Sequence, residues 1–177
     1  AQNSFLGSIA SALGANDSDK AIDLANKFPE GKARDSFIAG IASGIAQNSP
    51  QDAAKFVANL PAGEAQNSAV SRVASAWAYA DPQGAATWVS SFPEGSARDN
   101  ATQSILSSWS NNDPTAAGKW LATIPAGKAQ EQAVQSYISS TSWQYPQLAA
   151  PWAETIQEPN QRNSSLENIA RQWLESD

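Results

Sequence analysis

The chain has 177 residues, a net charge of −6 and a pI near 4.6, with 41% hydrophobic but only 16% charged residues. That apolar content excludes a disordered chain of low charge, and the acidic balance excludes the concentrated basic face that nucleic acid requires. The absence of Cys and His removes disulfides, thiolate ligands, and the usual metal ligand and neutral-pH base.

Residues 3–15 place Phe5, Leu6, Ile9, Ala10 and Leu13 at helical spacing, with no charge before Asp17. Asp17, Asp19 and Asp23 follow. Acidic residues suit the positive end of a helix. A calcium loop is the alternative, but Ile22 and Phe28 stand where such a loop needs Gly and Glu. Pro29-Glu30-Gly31 reads as a turn, and Phe37, Ile38, Ile41, Ala42 and Ile45 form the next apolar stripe. Ser49-Pro50 then opens a short helix of about ten residues, because Ser is a good N-cap and Pro suits the first helical position. Ala53, Phe56, Val57 and Leu60 line its apolar side, Pro61 stops it, and Pro61-Ala62-Gly63 leads into a longer helix carrying Ala69, Val70, Val73, Ala74 and Trp77. The short helix is termed A and the long one B. Asp81-Pro82 and Asp113-Pro114 restart the pair, and so does Tyr145-Pro146, which lacks a capping side chain. Pro93-Glu94-Gly95 and Pro125-Ala126-Gly127 repeat the turn. The register then loosens. Pro151 falls inside the last A helix, where it should kink or delay it. Gln157-Glu158-Pro159 replaces the regular turn, and a final B helix over 162–175 carries Leu166, Ile169, Ala170 and Trp173.

The period is 32 residues: Pro29, Pro61, Pro93 and Pro125 keep it, as do Pro50, Pro82, Pro114 and Pro146, and Leu24, Phe56, Trp88, Trp120 and Trp152. A fixed period in this range marks a repeat architecture in which each unit buries its apolar face against its neighbours. The expected fold is all-α: a right-handed α-solenoid of about five 32-residue helix-turn-helix repeats and about eleven helices. It forms a single repeat domain over 1–177, with a B helix at 3–15 and repeats near 18–49, 50–81, 82–113, 114–145 and 146–177. Alternating runs rich in β-branched residues, which would signal strands, are lacking. The pattern Asp-Pro-x-x-Ala-x-x-Trp-x-x-x-Leu-Pro-x-Gly-x-x-Arg-x-x-Ala resembles the helical-hairpin solenoids of the tetratricopeptide and HEAT class. It looks closer still to the Trp- and Pro-punctuated short repeats of secreted or surface bacterial proteins.

Two sets of residues stand out. Gln2, Arg34, Gln66, Arg98, Gln130 and Arg162 share one phase near the start of each B helix. They can bond the orphan carbonyls at the end of helix A or form a polar stripe that binds a ligand. The tryptophans are the second set. Trp77 and Trp88, and Trp109 and Trp120, bracket Asp-Pro turns, so each pair should meet where B hands over to A. Trp143 comes two residues late, with Thr141 in its place, and Trp152 and Trp173 complete the set. Core packing is one reading of these rings and an aromatic platform for sugars or peptides the other.

Catalysis, metals and cofactors have no support: there is no nucleophile–base pair, phosphate loop or HExxH. The absence of Met fits removal of an initiator Met, a matured secreted protein or a fragment; a processed N-terminus is the expectation, and a surface of Ser, Asn, Gln and Thr fits an extracellular or cell-surface setting. No apolar run approaches the roughly 20 residues of a membrane span. A chain beginning and ending in the same helix type should stack head to tail through Phe5, Leu6, Ile9 and Leu13 at one end and Leu166, Ile169 and Trp173 at the other, as a filament-forming structural protein. The alternative is a monomeric module holding a peptide or glycan on its concave face.

Overall fold

The computed structural model describes the backbone of residues 2–176 and the side chains of residues 5–175. These residues form eleven α-helices and no strand: α1 (Gln2–Asn16), α2 (Ser18–Ala25), α3 (Lys32–Asn48), α4 (Pro50–Ala58), α5 (Glu64–Ala80), α6 (Pro82–Ser90), α7 (Ser96–Asn112), α8 (Pro114–Leu121), α9 (Lys128–Thr141), α10 (Pro146–Glu154) and α11 (Pro159–Ser176). Odd-numbered helices are the B type and even-numbered ones the A type.

Local chemistry sets the boundaries. Pro50, Pro82, Pro114 and Pro146 are the first residues of α4, α6, α8 and α10, where a missing N–H costs nothing. Ser49, Asp81 and Asp113 cap these helices, accepting from the N–H groups of Asp52 (3.3 Å), Gly84 (2.9 Å) and Ala116 (2.9 Å). Tyr145 gives no side-chain cap. Each Pro-x-Gly turn ends on a glycine with φ between 140° and 156° (Gly31, Gly63, Gly95 and Gly127), a conformation that other residues adopt only at a cost. The exceptions have their own reasons. α11 starts at Pro159 rather than residue 162, because the Glu158 carboxylate accepts from the N–H groups of Asn160 (3.1 Å) and Gln161 (2.6 Å) and caps the helix without a glycine. α10 is not delayed by Pro151: it starts on the beat at Pro146 and continues to Glu154. Pro151 is exposed, so its ring meets solvent and the helix forfeits one backbone bond.

The chain divides into two compact units, residues 1–104 and 105–177, with the division inside α7. In the first, α1 packs on α3 and α3 on α5; α2 lies against α1 and α3, α4 against α3 and α5, and α6 against α5. Its core joins Ala10, Ala21, Ala25, Phe37, Ile38 and Ile41, with Leu13, Phe28, Phe56 and Leu60 packed against them. In the second, α9 packs on α8 and α10, and α10 on α11 and α8. Within each unit, packing runs between near neighbours in the chain, the solenoid-like arrangement that a 32-residue hairpin repeat dictates.

The α1–α3 contact is unusually close. A methyl group added at Gly40 would lie 2.5 Å from the Gly7 carbonyl oxygen, and one at Gly14 would lie 2.5 Å from that of Ile41. The two backbones touch because both helices offer glycine at the crossing.

Candidate functional site

The polar column near the B-helix starts is spent on backbone. Gln66 Nε2 donates to the carbonyls of Val57 (3.3 Å) and Leu60 (3.2 Å), Arg98 Nη1 to Phe92 (3.4 Å), Gln130 Nε2 to Ile124 (2.9 Å) and Arg162 Nη1 to Ile156 (3.2 Å). The acceptors belong to the last turn of the preceding A helix or the residues just after it, where carbonyls have no intrahelical donor. Each side chain thus staples its own A–B hairpin. Arg34 differs: its Nη1 lies 3.8 Å from Glu30, and its Nε is buried without a hydrogen-bond partner. The side chain of Gln2 lies outside the described residues.

The aromatic rings meet at the B-to-A turns. Trp77 and Trp88 are 5.8 Å apart between ring centroids, and Trp109 and Trp120 are 5.9 Å apart. Trp88 also meets Phe92 edge-on at 5.1 Å. At the third such turn Thr141 occupies the tryptophan position, and Tyr137, one turn earlier on α9, meets Trp152 edge-on at 6.1 Å. Its hydroxyl donates to the Pro114 carbonyl at 2.9 Å. Room for it comes from Gly118, which stands where other A helices carry Ala54 and Ala86: a methyl there would lie 3.1 Å from the tyrosine oxygen. Burial raises the Tyr137 pKa, helped by the negative charge of Asp113. Nothing in the sequence pattern marked Tyr137, although its coincidence with Thr141 and Gly118 was the available signal. Two tryptophans leave the core. Trp143 follows the end of α9 and is exposed, and Trp173 is exposed on α11.

The acidic cluster is used locally. Asp17 caps α2 through the Lys20 N–H (3.1 Å) and pairs with Lys20 Nζ at 2.6 Å. The hydrogen-bonded ammonium of Lys20 holds its carboxyl below the ordinary value. Among the described residues, no group of three or more acidic side chains is placed to hold a metal ion.

The end helices carry the largest departure from the repeat. In α3, Phe37, Gly40, Ile41 and Gly44 form a face that meets the preceding helices, where Gly44 crosses Ser11 and Ile41 crosses Gly14. This is the front face. In α1 the opposite, back face (Gly7, Ala10, Ser11, Gly14) receives it. One period earlier, the front face of α1 is Phe5, Ser8, Ile9 and Ala12. Phe5 is 68% and Ile9 38% exposed, against 1% and 0% for Phe37 and Ile41. In α11 the back face (Glu167, Ala170, Arg171, Leu174) is exposed, with Leu174 at 82% and its neighbour Trp173 at 47%. The other candidate end residues turn inward. Ile169 is buried, Leu6, Leu13 and Leu166 are half-buried, and Leu13 packs on the core. Ile169 occupies the front phase of α11, a face that the preceding helices cover.

Two shallow grooves run along the N-terminal halves of B helices. One of about 510 Å³ in the first unit is lined by Ser36, Glu64, Asn67, Ser71, Arg72 and Asn100. One of about 680 Å³ in the second is lined by Lys128, Glu131, Gln135, Gln157, Glu158 and Gln161 above Val134 and Ile156. Comparison with known protein families, curated proteins and solved structures finds no match to the chain.

Proposed function

We propose that this chain is a non-enzymatic structural protein of the extracellular space or cell surface that associates end to end, building filaments or a surface assembly from copies of itself. Its helical hairpins would then be repeats of the tetratricopeptide/HEAT-like kind, closest to those of secreted or surface bacterial proteins. The observation that carries the reading is the exposure of Phe5 and Ile9 on α1 and of Leu174 on α11, at phases that α3 and α5 bury completely or nearly so. Exposed apolar side chains grouped on a helix face mark an interaction surface. The uncharged polar surface supports the extracellular setting, and the partner in this reading is the chain itself, with no cofactor and no nucleic acid. One helix on one helix buries less than about 1,200 Å², the low end of specific interfaces, so association is weak and grows with concentration. The test is negative-stain microscopy of the concentrated chain beside Phe5→Glu and Leu174→Glu variants. Elongated particles that either variant abolishes are expected; a field of single particles for the unaltered chain refutes the reading.

The two grooves favour a second reading, a monomeric module holding a peptide or glycan. Amide, hydroxyl and charged side chains line both, which suits a ligand rich in donors and acceptors. Binding of a peptide or glycan from a broad panel, lost on Arg72→Ala or Gln135→Ala, would support it; a silent panel would remove it.

A further inference from the structure

We infer that the B-to-A corners at Tyr79 and Trp143 are two equivalent sites for a neutral glycan, each taking one sugar ring on its aromatic face. The inference deepens the glycan arm of the second reading, stands apart from the two grooves, and does not depend on self-association. Tyr79 is 80% and Trp143 62% exposed, and they lie two periods apart at one phase of the repeat. The backbone fixes the equivalence. The Asp81 N–H donates to the Trp77 carbonyl at 2.8 Å, and the Tyr145 N–H to the Thr141 carbonyl at 2.8 Å. Each ring therefore stands two residues before the capping position of the next A helix, although α9 itself ends at Thr141. Packing does not ask for an aromatic side chain here. The same phase carries Gln47 and Asn111 in the repeat before each ring, and other rings make the core pairs at these turns, Trp77 with Trp88 and Tyr137 with Trp152. A lone exposed ring needs no explanation; two at one phase, where the preceding repeats place amides, mark a surface in use.

The surroundings select the ligand. Four residues after each ring comes an exposed glutamine, Gln83 or Gln147, the second residue of α6 or α10. One period before the rings stand the exposed amides Gln47 and Asn48, and Asn111 and Asn112; α3, which carries the first pair, packs on α5. Carboxamides both donate and accept, which suits the hydroxyls around the rim of a sugar, while its C–H face suits the apolar body of an aromatic ring. Charge is scarce. Residues 132–153 contain no charged side chain, and the Asp81 carboxylate, close after Tyr79, caps α6 through the Gly84 N–H at 2.9 Å. An anionic polysaccharide finds no counter-charge at either corner. Because both rings are open to solvent, a single sugar binds weakly, and a polymer presenting many sugars binds better.

The test is retention of the full chain on cellulose and chitin particles and its retardation in native gels holding xylan, galactomannan or a mixed-linkage β-glucan, with alginate and polyproline as controls. Tyr79→Ala, Trp143→Ala and the double variant are run beside it. Both native side chains are exposed, so neither change empties the core, and circular dichroism checks the fold. At least one neutral polysaccharide should hold the unaltered chain. Each single variant should weaken that binding about two- to tenfold, and the double variant should lose it. Binding that survives the double variant and falls instead with Arg72→Ala or Gln135→Ala overturns these sites and leaves the groove reading standing. A loss confined to one single variant removes the other corner. Binding to alginate or polyproline alone overturns the neutral-glycan assignment. No binding to any probe overturns the inference together with the glycan arm of the second reading.

Discussion

Ser110 carries a buried hydroxyl with no hydrogen-bond partner, at the phase that Ala46 and Ala78 fill in earlier repeats. A desolvated hydroxyl without a partner opposes folding, so Ser110→Ala is expected to raise stability by about 1 kcal/mol, read from the urea midpoint at an unchanged slope. The tryptophans separate in the same way. Trp109 is 5% exposed and packed against Trp120 in a tilted pair, and Trp109→Ala should cost roughly 3–5 kcal/mol. Trp143 is 62% exposed, and Trp143→Ala should stay within about 0.5 kcal/mol in the same measurement. A sequence phase gives the pairing of Trp77 with Trp88 and Trp109 with Trp120 because both rings repeat with the helix period. It gives no warning for Trp173, whose phase matches that of the buried Trp109; exposure there depends on which neighbour the helix has.

At the level of the element, the A–B turns at Gly63, Gly95 and Gly127 are fixed twice, by the glycine and by the side chain of Gln66, Arg98 or Gln130 that reaches back to helix A, whereas at Gly31 Arg34 lies near Glu30 instead. Gly31 has φ 140° and ψ −178°, a region almost confined to glycine, and an added methyl would meet nothing within 4 Å. The penalty of Gly31→Ala is therefore conformational alone, about 1–3 kcal/mol, and a variant that melts unchanged would remove this account of the turn. The Pro-x-Gly spacing made these turns legible in the sequence, and Pro50, Pro82, Pro114 and Pro146 the starts of α4, α6, α8 and α10, since proline and glycine act through the backbone at their own positions. The start of α11 was not legible, because Glu158 does by side chain what glycine does elsewhere. Tyr137 adds a pH dependence. Its folded-state pKa is raised, by burial first and Asp113 second, so the stability it contributes is fully present below the ordinary tyrosine value near 10 and is lost as pH climbs through the raised one. Stability measured from neutral to strongly alkaline pH should fall at the alkaline end, and Tyr137→Phe should flatten that fall. An equal fall in the variant would assign it to other groups.

Across the whole chain, the 32-residue beat specifies helices, turns and which stripe of each B helix is apolar, and the structure follows it from Pro50 to Pro146. The beat does not say which half of that stripe faces backward and which forward. That direction came from the glycine crossings between α1 and α3, which show a front face seated on a back face. The inward turn of Leu6, Leu13, Leu166 and Ile169 follows from the same direction, as does the outward turn of Phe5, Ile9 and Leu174. The most direct test of this account is sedimentation velocity on the unaltered chain over a wide range of concentration. The account predicts a weight-average sedimentation coefficient that rises with concentration and reaches no plateau at a fixed small stoichiometry. A single monomer boundary, unchanged from the lowest concentration to the highest, would contradict it.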